Sequence, residues 1–131
     1  MKKTGILNKE ISGVVAGMGH KDMLVVCDAG LPIPVEVQRI DLAVKPGLPC
    51  LVDILEVLSS ELKVERLILA EETQTVSPLV EEAILHIFKG AGVEKISHEE
   101  FKELSHKAVA VIRSGEFTPY ANVILVSGVV F

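Results

Sequence analysis

Short apolar runs, separated by stretches with helical periodicity, constrain the fold of this chain more than any other feature. The runs cover residues 23–27, 40–44, 66–70, 93–96, 108–112 and 121–126. In most of these runs apolar and polar residues do not alternate, so neither face of the strand is expected to be solvated. The runs therefore predict strands buried on both sides. We therefore predict an α/β fold with a largely parallel sheet covered by helices on both faces, in a single domain over residues 1–131.

The segments between the runs carry helix-boundary signals. Residues 8–18 have apolar side chains at helical spacing after a candidate N-cap, Asn8. Pro49 can open a second helix, and the pair Ser77-Pro78 can cap and open a third. Ser97-His98-Glu99-Glu100 fits a capping box and predicts a short helix that begins near His98.

Composition argues against several classes of partner. The formal net charge is −5, whereas nucleic-acid binding relies on clustered Lys and Arg. No apolar run reaches the roughly 20 residues that a membrane helix needs, and no apolar segment typical of a signal peptide follows Lys2-Lys3. Cys27 and Cys50 are isolated, which favours reduced thiols. We expect a cytoplasmic protein that binds neither nucleic acid nor membrane.

The apolar content also predicts self-association. Apolar residues make up 49% of the chain, and its mean hydropathy is +0.44. A domain of this size hides only about two thirds of the surface that its unfolded chain exposes. Gly13, Ala16 and Gly17 would let another backbone approach the first helix closely. We therefore expect a homo-oligomer.

Several well-known motifs fail on their context. The glycines of 13–19 precede a strand and lie within a predicted helix, so they do not form a dinucleotide loop. No Gly-Lys-Ser/Thr of a phosphate-binding loop occurs. His98-Glu99 begins like a zinc-protease motif, but Lys102 stands where the second histidine would be. These failures argue against phosphate transfer, hydride transfer and metal-dependent hydrolysis, and we predict no metal site.

Polar side chains at the ends of predicted elements remain as candidates for a site. They are His20, Asp28, His98, Lys102, His106, Tyr120 and Asn122. Each also has a structural explanation: a cation at a helix end, an aspartate bonding its own turn, a solvated helix face or a buried aromatic ring. The residues alone therefore predict only a polar ligand site of unknown use.

Three segments carry a family resemblance. Asp28-Ala29-Gly30-Leu31-Pro32-Ile33-Pro34, Gly19-His20-Lys21-Asp22 and the stretch 113–122 resemble motifs of the D-ribose pyranase and L-fucose mutarotase family. They occur in that family's order from the first helix to the last strand. Lys21 and Gly30 differ from residues common in the fucose branch, and both differences favour the ribose branch.

The resemblance implies a cofactor-independent isomerase that interconverts the β-pyranose and β-furanose forms of D-ribose. It implies His20 as the proton donor. The sugar-binding residues that it implies are Asp28, His98, Tyr120, Ala121, Asn122, Lys102 and His106. Lys102 and His106 are implied less strongly than the others, because the helix that carries them is less distinctive. It also implies a ring-shaped homo-oligomer, often a decamer, with sites between subunits. We expect the furanose to feed a ribose kinase in D-ribose catabolism.

The position of the predicted acid raises a geometric question. If residues 23–27 form a straight strand, His20 and Asp28 lie up to about 25 Å apart along the chain. The two could meet if 19–22 folds back or if two subunits share the site, and we favour a shared site. The competing predictions are an L-fucose mutarotase, a sugar-binding protein without catalysis and a purely structural ring.

Overall fold

The computed structural model describes all 131 residues, which form five helices and six strands. The strands are β1 Met23–Cys27, β2 Gln38–Asp41, β3 Val64–Ala70, β4 Gly92–Ile96, β5 Ala110–Arg113 and β6 Val123–Ser127. The helices are α1 Lys9–Gly17, α2 Leu51–Ser59, α3 Glu71–Val76, α4 Pro78–Ile87 and α5 His98–Ser105.

All six strands join one sheet in the order β2-β5-β1-β6-β3-β4. Every pair is parallel except the two that involve β6, which runs against both β1 and β3. The carboxyl ends of the other five strands therefore lie beside the amino end of β6, and we call this rim the carboxyl edge. The opposite rim is the amino edge. The predicted α/β class and largely parallel sheet are confirmed.

The alternation of side chains along the strands produces two cores. Leu24 and Val26 of β1 join a cluster of 19 buried residues on the face covered by α1, α2 and α4. Val25 and Cys27 join a cluster of nine on the other face, where α5 contributes Phe101. Helices thus cover both faces, as predicted.

The predicted caps fix the starts of α1 and α5. Asn8 Oδ1 accepts a hydrogen bond from the Ile11 N–H at 3.0 Å. In the Ser97 capping box, the Ser97 N–H donates to Glu100 Oε2 at 2.9 Å and the Glu100 N–H donates to Ser97 Oγ at 3.2 Å. Each cap satisfies a helix N–H that would otherwise lack a partner. Because α5 begins immediately after β4, His98 is held at the carboxyl edge.

Several predicted boundaries are wrong. β5 and β6 each begin two residues later than expected, at Ala110 and Val123. The second strand was expected over 40–44, but it ends at Asp41, where the Asp41 carboxylate accepts the Ala43 N–H at 3.1 Å and turns the chain. Pro49 does not open a helix, because Cys50 is the N-cap and α2 begins at Leu51.

One helix was not predicted. α3 follows β3 directly and consists of Glu71-Glu72-Thr73-Gln74-Thr75-Val76, which has no apolar periodicity. Thr73 is its only buried residue. α3 lies at the carboxyl edge because the carboxyl end of β3 does.

None of the helices combines the length and the apolar character that crossing a membrane would require.

Candidate active site

Asp28 and Asn122 contact each other directly at the carboxyl edge. Asp28 follows β1, and Asn122 precedes β6, whose Val123 is paired with Val26. Asn122 Nδ2 donates to Asp28 Oδ2 at 3.0 Å, and the Asp28 N–H donates to Asn122 Oδ1 at 2.9 Å. Because both ends of the amide are used, the buried Asn122 side chain has one orientation.

The second oxygen of Asp28 closes a local turn. Asp28 Oδ1 accepts the Gly30 N–H at 2.9 Å, which is the self-bonding turn aspartate that the sequence allowed. A carboxylate has about four lone-pair positions, so these two hydrogen bonds leave room for about two more donors. Asp28 can therefore hold its turn and still accept a hydrogen bond from a ligand hydroxyl.

A shallow cavity of about 380 Å³ opens beside Asp28. Its volume lies within the roughly 300–1,000 Å³ that is typical of small-molecule pockets. The lining residues are Asp28, Ala29, Gly30, Arg113, Glu116, Phe117, Thr118 and Pro119. Three depressions of 410–610 Å³ elsewhere on the chain contain none of the predicted site residues. Of these four cavities, the one at the carboxyl edge alone is lined by a predicted site residue, Asp28.

The rings of His98 and Tyr120 meet near the start of α5. Their centroids are 5.0 Å apart with planes at 87°, an edge-to-face contact, and His98 also stacks at 6.4 Å on Phe101. The backbone N–H of His98 donates to both oxygens of the Glu72 carboxylate, at 3.0 and 3.2 Å. His98 Nδ1 is buried without a hydrogen-bond partner. No group of the chain therefore uses this ring nitrogen.

A tight turn over 118–121 presents Tyr120 and Ala121. It is closed by the Ala121 N–H, which donates to the Thr118 carbonyl oxygen at 3.3 Å. Tyr120 has φ 59°, in the left-handed region that costs a residue with a Cβ about 1–2 kcal/mol. Ala121 is fully buried, so only its backbone is available to a ligand.

Two side chains of α3 and its end hold this turn, and sequence reasoning missed both. Thr73 Oγ1 donates to the Tyr120 carbonyl oxygen at 2.9 Å. Ser77 Oγ donates to the Pro119 carbonyl oxygen at 2.6 Å, rather than making the helix-capping bond that the Ser77-Pro78 pair suggested. A threonine in a short polar segment carries no sequence signal for such a role.

The loop 114–122 is fastened to the end of β1. The Ser114 N–H and Oγ both donate to the Cys27 carbonyl oxygen, at 3.0 and 2.6 Å. The Ala29 N–H donates to the Glu116 carbonyl oxygen at 2.9 Å. Burial, with a smaller contribution from the Asp28 carboxylate, raises the pKa of the Cys27 thiol to about 12, so this cysteine is an apolar core residue rather than a nucleophile.

The charged groups of the cavity wall are already paired. Partial burial acts to raise the pKa of Glu116, but hydrogen bonds from Thr118 and from backbone N–H groups, including that of Leu51, hold it below its usual range. Arg113 Nη1 donates to both oxygens of Asp41 at 3.1 Å. Both side chains are therefore fixed in place before a ligand binds.

His20 lies at the amino edge, away from this cluster. It follows α1 and precedes β1, and a five-residue strand spans about 17 Å. His20 Nε2 is 2.9 Å from Glu65 Oε2, and its side chain is 45% exposed. Within one chain, Asp28 therefore does not orient His20, and the structure does not bring the two together.

Lys102 and His106 are engaged with carboxylates on the surface of α5 and just beyond its end. Lys102 Nζ is 2.6 Å from Glu99 Oε1, and this contact lowers the pKa of Glu99. His106 Nδ1 forms a hydrogen bond with Glu36, which lowers the pKa of Glu36. Neither forms a hydrogen bond with Asp28, Tyr120 or Asn122. Their contacts match the solvated helix face that the sequence allowed.

No three side chains from His, Cys, Asp and Glu converge in a way that could hold a metal ion. The groups at the carboxyl edge are a carboxylate, an amide, an imidazole, an aromatic ring and backbone amides. This donor set can hydrogen-bond a neutral polyhydroxylated molecule, and one aromatic face can cover its carbon skeleton.

Comparison with known proteins gives consistent matches along the chain. The profile of the RbsD / FucU transport protein family matches residues 1–130. A protein named D-ribose pyranase from Symbiobacterium thermophilum is 53% identical over 131 residues, all of both chains. Another of that name, from Laribacter hongkongensis, is 51% identical over the same share of both chains.

A solved structure shares the fold at full length. Bacillus subtilis RbsD complexed with D-ribose superimposes with a TM-score of 0.97 at 48% identity, and the match covers 100% of both chains. Family profile, sequence and structure therefore agree over the same residues. The chain belongs to the RbsD / FucU transport protein family.

Proposed function

We propose that this chain catalyses the exchange of D-ribose between its pyranose and furanose forms, the activity for which its relatives are named. The observation that carries the proposal is full-length identity of about 50% to those relatives, joined to the fold of a ribose-bound structure. The carboxyl edge places polar side chains beside a cavity, and these side chains can hydrogen-bond a sugar.

The reaction needs only proton transfers. An acid protonates the ring oxygen while a base takes the proton of the anomeric hydroxyl, and the ring opens to the aldehyde. A different chain hydroxyl then attacks the aldehyde and closes the other ring. Because no carbon is oxidised or reduced overall, acid, base and positioning groups suffice. A positioned acid or base typically accelerates such a step about 10²–10⁴-fold.

Within this proposal, Asp28 and Asn122 bind sugar hydroxyls. Asn122 fixes one carboxylate oxygen, and the remaining lone pairs of Asp28 accept from the sugar. His98 binds the sugar through its imidazole, whose buried Nδ1 becomes available only if the ring turns, and Tyr120 covers one side of the sugar. Ala121 contributes backbone groups. Lys102 and His106 would have to leave their carboxylate partners to reach a ligand, so we give them the weakest roles.

His20 supplies the acid from a neighbouring subunit. Histidine is the side chain that most often acts as a general acid or base in enzymes that work near neutral pH. The distance between the two edges within one chain favours a site that two subunits share. The open face of α1 supports an assembly, because a Cβ built on Gly13 or Gly17 has no atom within 4 Å outside its chain neighbours and the backbone of α1. We propose a cytoplasmic homodecamer that acts in D-ribose catabolism.

Saturation-transfer NMR on equilibrated D-ribose tests the activity. We expect the protein to accelerate exchange between pyranose and furanose anomeric protons, and His20→Ala to return it towards the buffer rate. The matched control is His86→Ala, because His86 is exposed on α4 and forms no hydrogen bond or ion pair with a residue of the site. If the protein binds ribose but leaves its exchange at the buffer rate, it is a sugar-binding protein. If it accelerates anomer exchange of L-fucose but not ring exchange of ribose, it is a mutarotase.

Mixed oligomers test the shared site. His20→Ala and Asn122→Leu are each expected to be inactive, but chains that have been unfolded and refolded together should recover activity. If each site takes one residue from each of two subunits, random mixing of equal amounts restores about a quarter of the sites. No recovery in confirmed mixed oligomers would mean that both residues must come from the same chain.

A further inference from the structure

The turn that carries Tyr120 is locally unfavourable and is held from outside. Pro119 and Tyr120 are the two central residues of the turn 118–121, and the second of these has φ 59°. Positive φ at that position normally selects glycine or asparagine. Tyr120 has a Cβ that makes this backbone conformation unfavourable, so the conformation has to be stabilised by other contacts.

Two buried hydroxyls provide those contacts. Thr73 is 0% exposed, and its Oγ1 donates to the Tyr120 carbonyl oxygen at 2.9 Å. Ser77 is 6% exposed, and its Oγ donates to the Pro119 carbonyl oxygen at 2.6 Å. The two donors are four residues apart and bind two consecutive peptide carbonyls. The Asn122 N–H also donates to the Tyr120 carbonyl oxygen, at 2.9 Å.

The same short helix also holds His98. Both oxygens of the Glu72 carboxylate accept the His98 N–H, and the His98 ring meets the Tyr120 ring at 5.0 Å. α3 therefore anchors the backbone behind both rings, although none of its residues lines the cavity. Its connection to β3, whose last four residues are buried, makes it a rigid support.

We propose that Thr73 and Ser77 are positioning residues that hold Tyr120 in the conformation that binds the sugar. The inference rests on the proposed function in so far as Tyr120 contacts ribose. Loss of the Thr73 hydroxyl lets the turn leave the left-handed region, and the Tyr120 ring then departs from His98. Ribose affinity falls, while the sheet and its two cores stay folded.

Thr73→Val removes the hydroxyl and keeps the branched shape, whereas Thr73→Ser keeps the hydroxyl. The matched control is Thr75→Val, because Thr75 is on the same helix but is exposed and bonds only the Glu72 carbonyl oxygen, at 3.2 Å. Loss of one net hydrogen bond corresponds to about a 5–10-fold rise in the Kd for ribose. We expect that rise for Thr73→Val, with Thr73→Ser and Thr75→Val within about twofold of the unsubstituted protein.

Fluorescence gives a second readout that does not depend on ribose. The chain has one tyrosine and no tryptophan, so its ultraviolet emission reports Tyr120 alone. Acrylamide should quench this emission more strongly in Thr73→Val than in Thr73→Ser. If Thr73→Val does not fold, as judged by circular dichroism, Ser77→Ala is measured in its place against the same criteria.

Unchanged quenching and an unchanged Kd for ribose in the hydroxyl-deficient variant would overturn the inference. An equal rise in the Kd for ribose in Thr73→Ser would overturn it as well. A failure of the proposed function has a different signature: the unsubstituted protein then leaves ribose exchange at the buffer rate, whatever the quenching of Tyr120 shows.

Discussion

Gly115 lies where the loop 114–122 passes closest to the rest of the chain, and replacing it with alanine is a sharp test of the site's construction. A Cβ at residue 115 would lie 2.4 Å from the Leu48 carbonyl oxygen and 2.7 Å from the Leu48 carbonyl carbon and nitrogen. All three atoms are backbone, so no side-chain rotation relieves the overlap. Either the loop or the turn around Leu48 has to move.

Hydrogen bonds on both sides of the glycine make that movement costly. The Gly115 N–H donates to the Pro49 carbonyl oxygen at 2.8 Å, and the Gly47 N–H donates to the Gly115 carbonyl oxygen at 2.7 Å. Overpacking typically costs about 1–3 kcal/mol, and each disrupted hydrogen bond costs about 0.5–1.5 kcal/mol. If both hydrogen bonds are disrupted, we expect Gly115→Ala to lower the free energy of unfolding by about 2–6 kcal/mol.

The loss is measured by urea unfolding at one fixed protein concentration, because an oligomer's stability depends on concentration. Gly92→Ala is the matched control, since its Cβ would lie 3.6 Å from the nearest atom, an ordinary contact. We also expect weaker ribose binding in Gly115→Ala, because Ser114 and Glu116 flank the displaced residue. A loss below about 0.5 kcal/mol, equal to the scatter of surface substitutions, would refute the reasoning.

Two further predictions concern the Asp28 contact and the α5 cap. Asn122→Leu removes both hydrogen bonds to Asp28. It should lower the free energy of unfolding by about 2 kcal/mol and abolish measurable ribose binding. Ribose binding that is retained in titration calorimetry would contradict this role of Asn122. Ser97→Ala should lower the free energy of unfolding by about 1 kcal/mol at pH 7. Hydrogen bonds from the Ser97 backbone and side chain lower the pKa of Glu100 in the folded chain. The stabilisation from these hydrogen bonds is present above the pKa of Glu100 in the unfolded chain, about 4.3, and is lost as pH falls through the lower pKa of the folded chain. Urea unfolding at pH 3 should therefore show a smaller effect of Ser97→Ala than urea unfolding at pH 7. An effect independent of pH would contradict this coupling.

The fold class followed from the sequence because strand and helix signals were locally consistent. Asn8 and Ser97 have the side chains that cap helices, and each cap lies where it was predicted. The direction of β6 could not be predicted in this way. A buried apolar run such as 123–127 looks the same in a parallel and an antiparallel strand, since both faces are covered in either case.

The sequence offered Asp28, His98, Tyr120 and Asn122 as candidates, but it could not show which of them contact one another. Asp28 and Asn122 are 94 residues apart in sequence, and only the pairing of β1 with β6 shows that they bond. Thr73 escaped prediction because its partner is a backbone carbonyl, which every residue has. The separation of His20 from Asp28 was expected from the length of β1, and it persists in the folded chain.

The reversed direction of β6 has a consequence for how sugar selectivity can change. β5 ends and β6 begins at the same rim, so the intervening segment bridges the end of β1 and returns without crossing the sheet. It carries several cavity-lining residues together with Tyr120 and Asn122. The interior of the segment is held by the end of β1, by Pro49 and by Thr73, and its Ala121 belongs to the larger core. Ligand preference can therefore change at exposed cavity-lining positions such as Phe117, while the anchoring residues and the strand order are inherited unchanged.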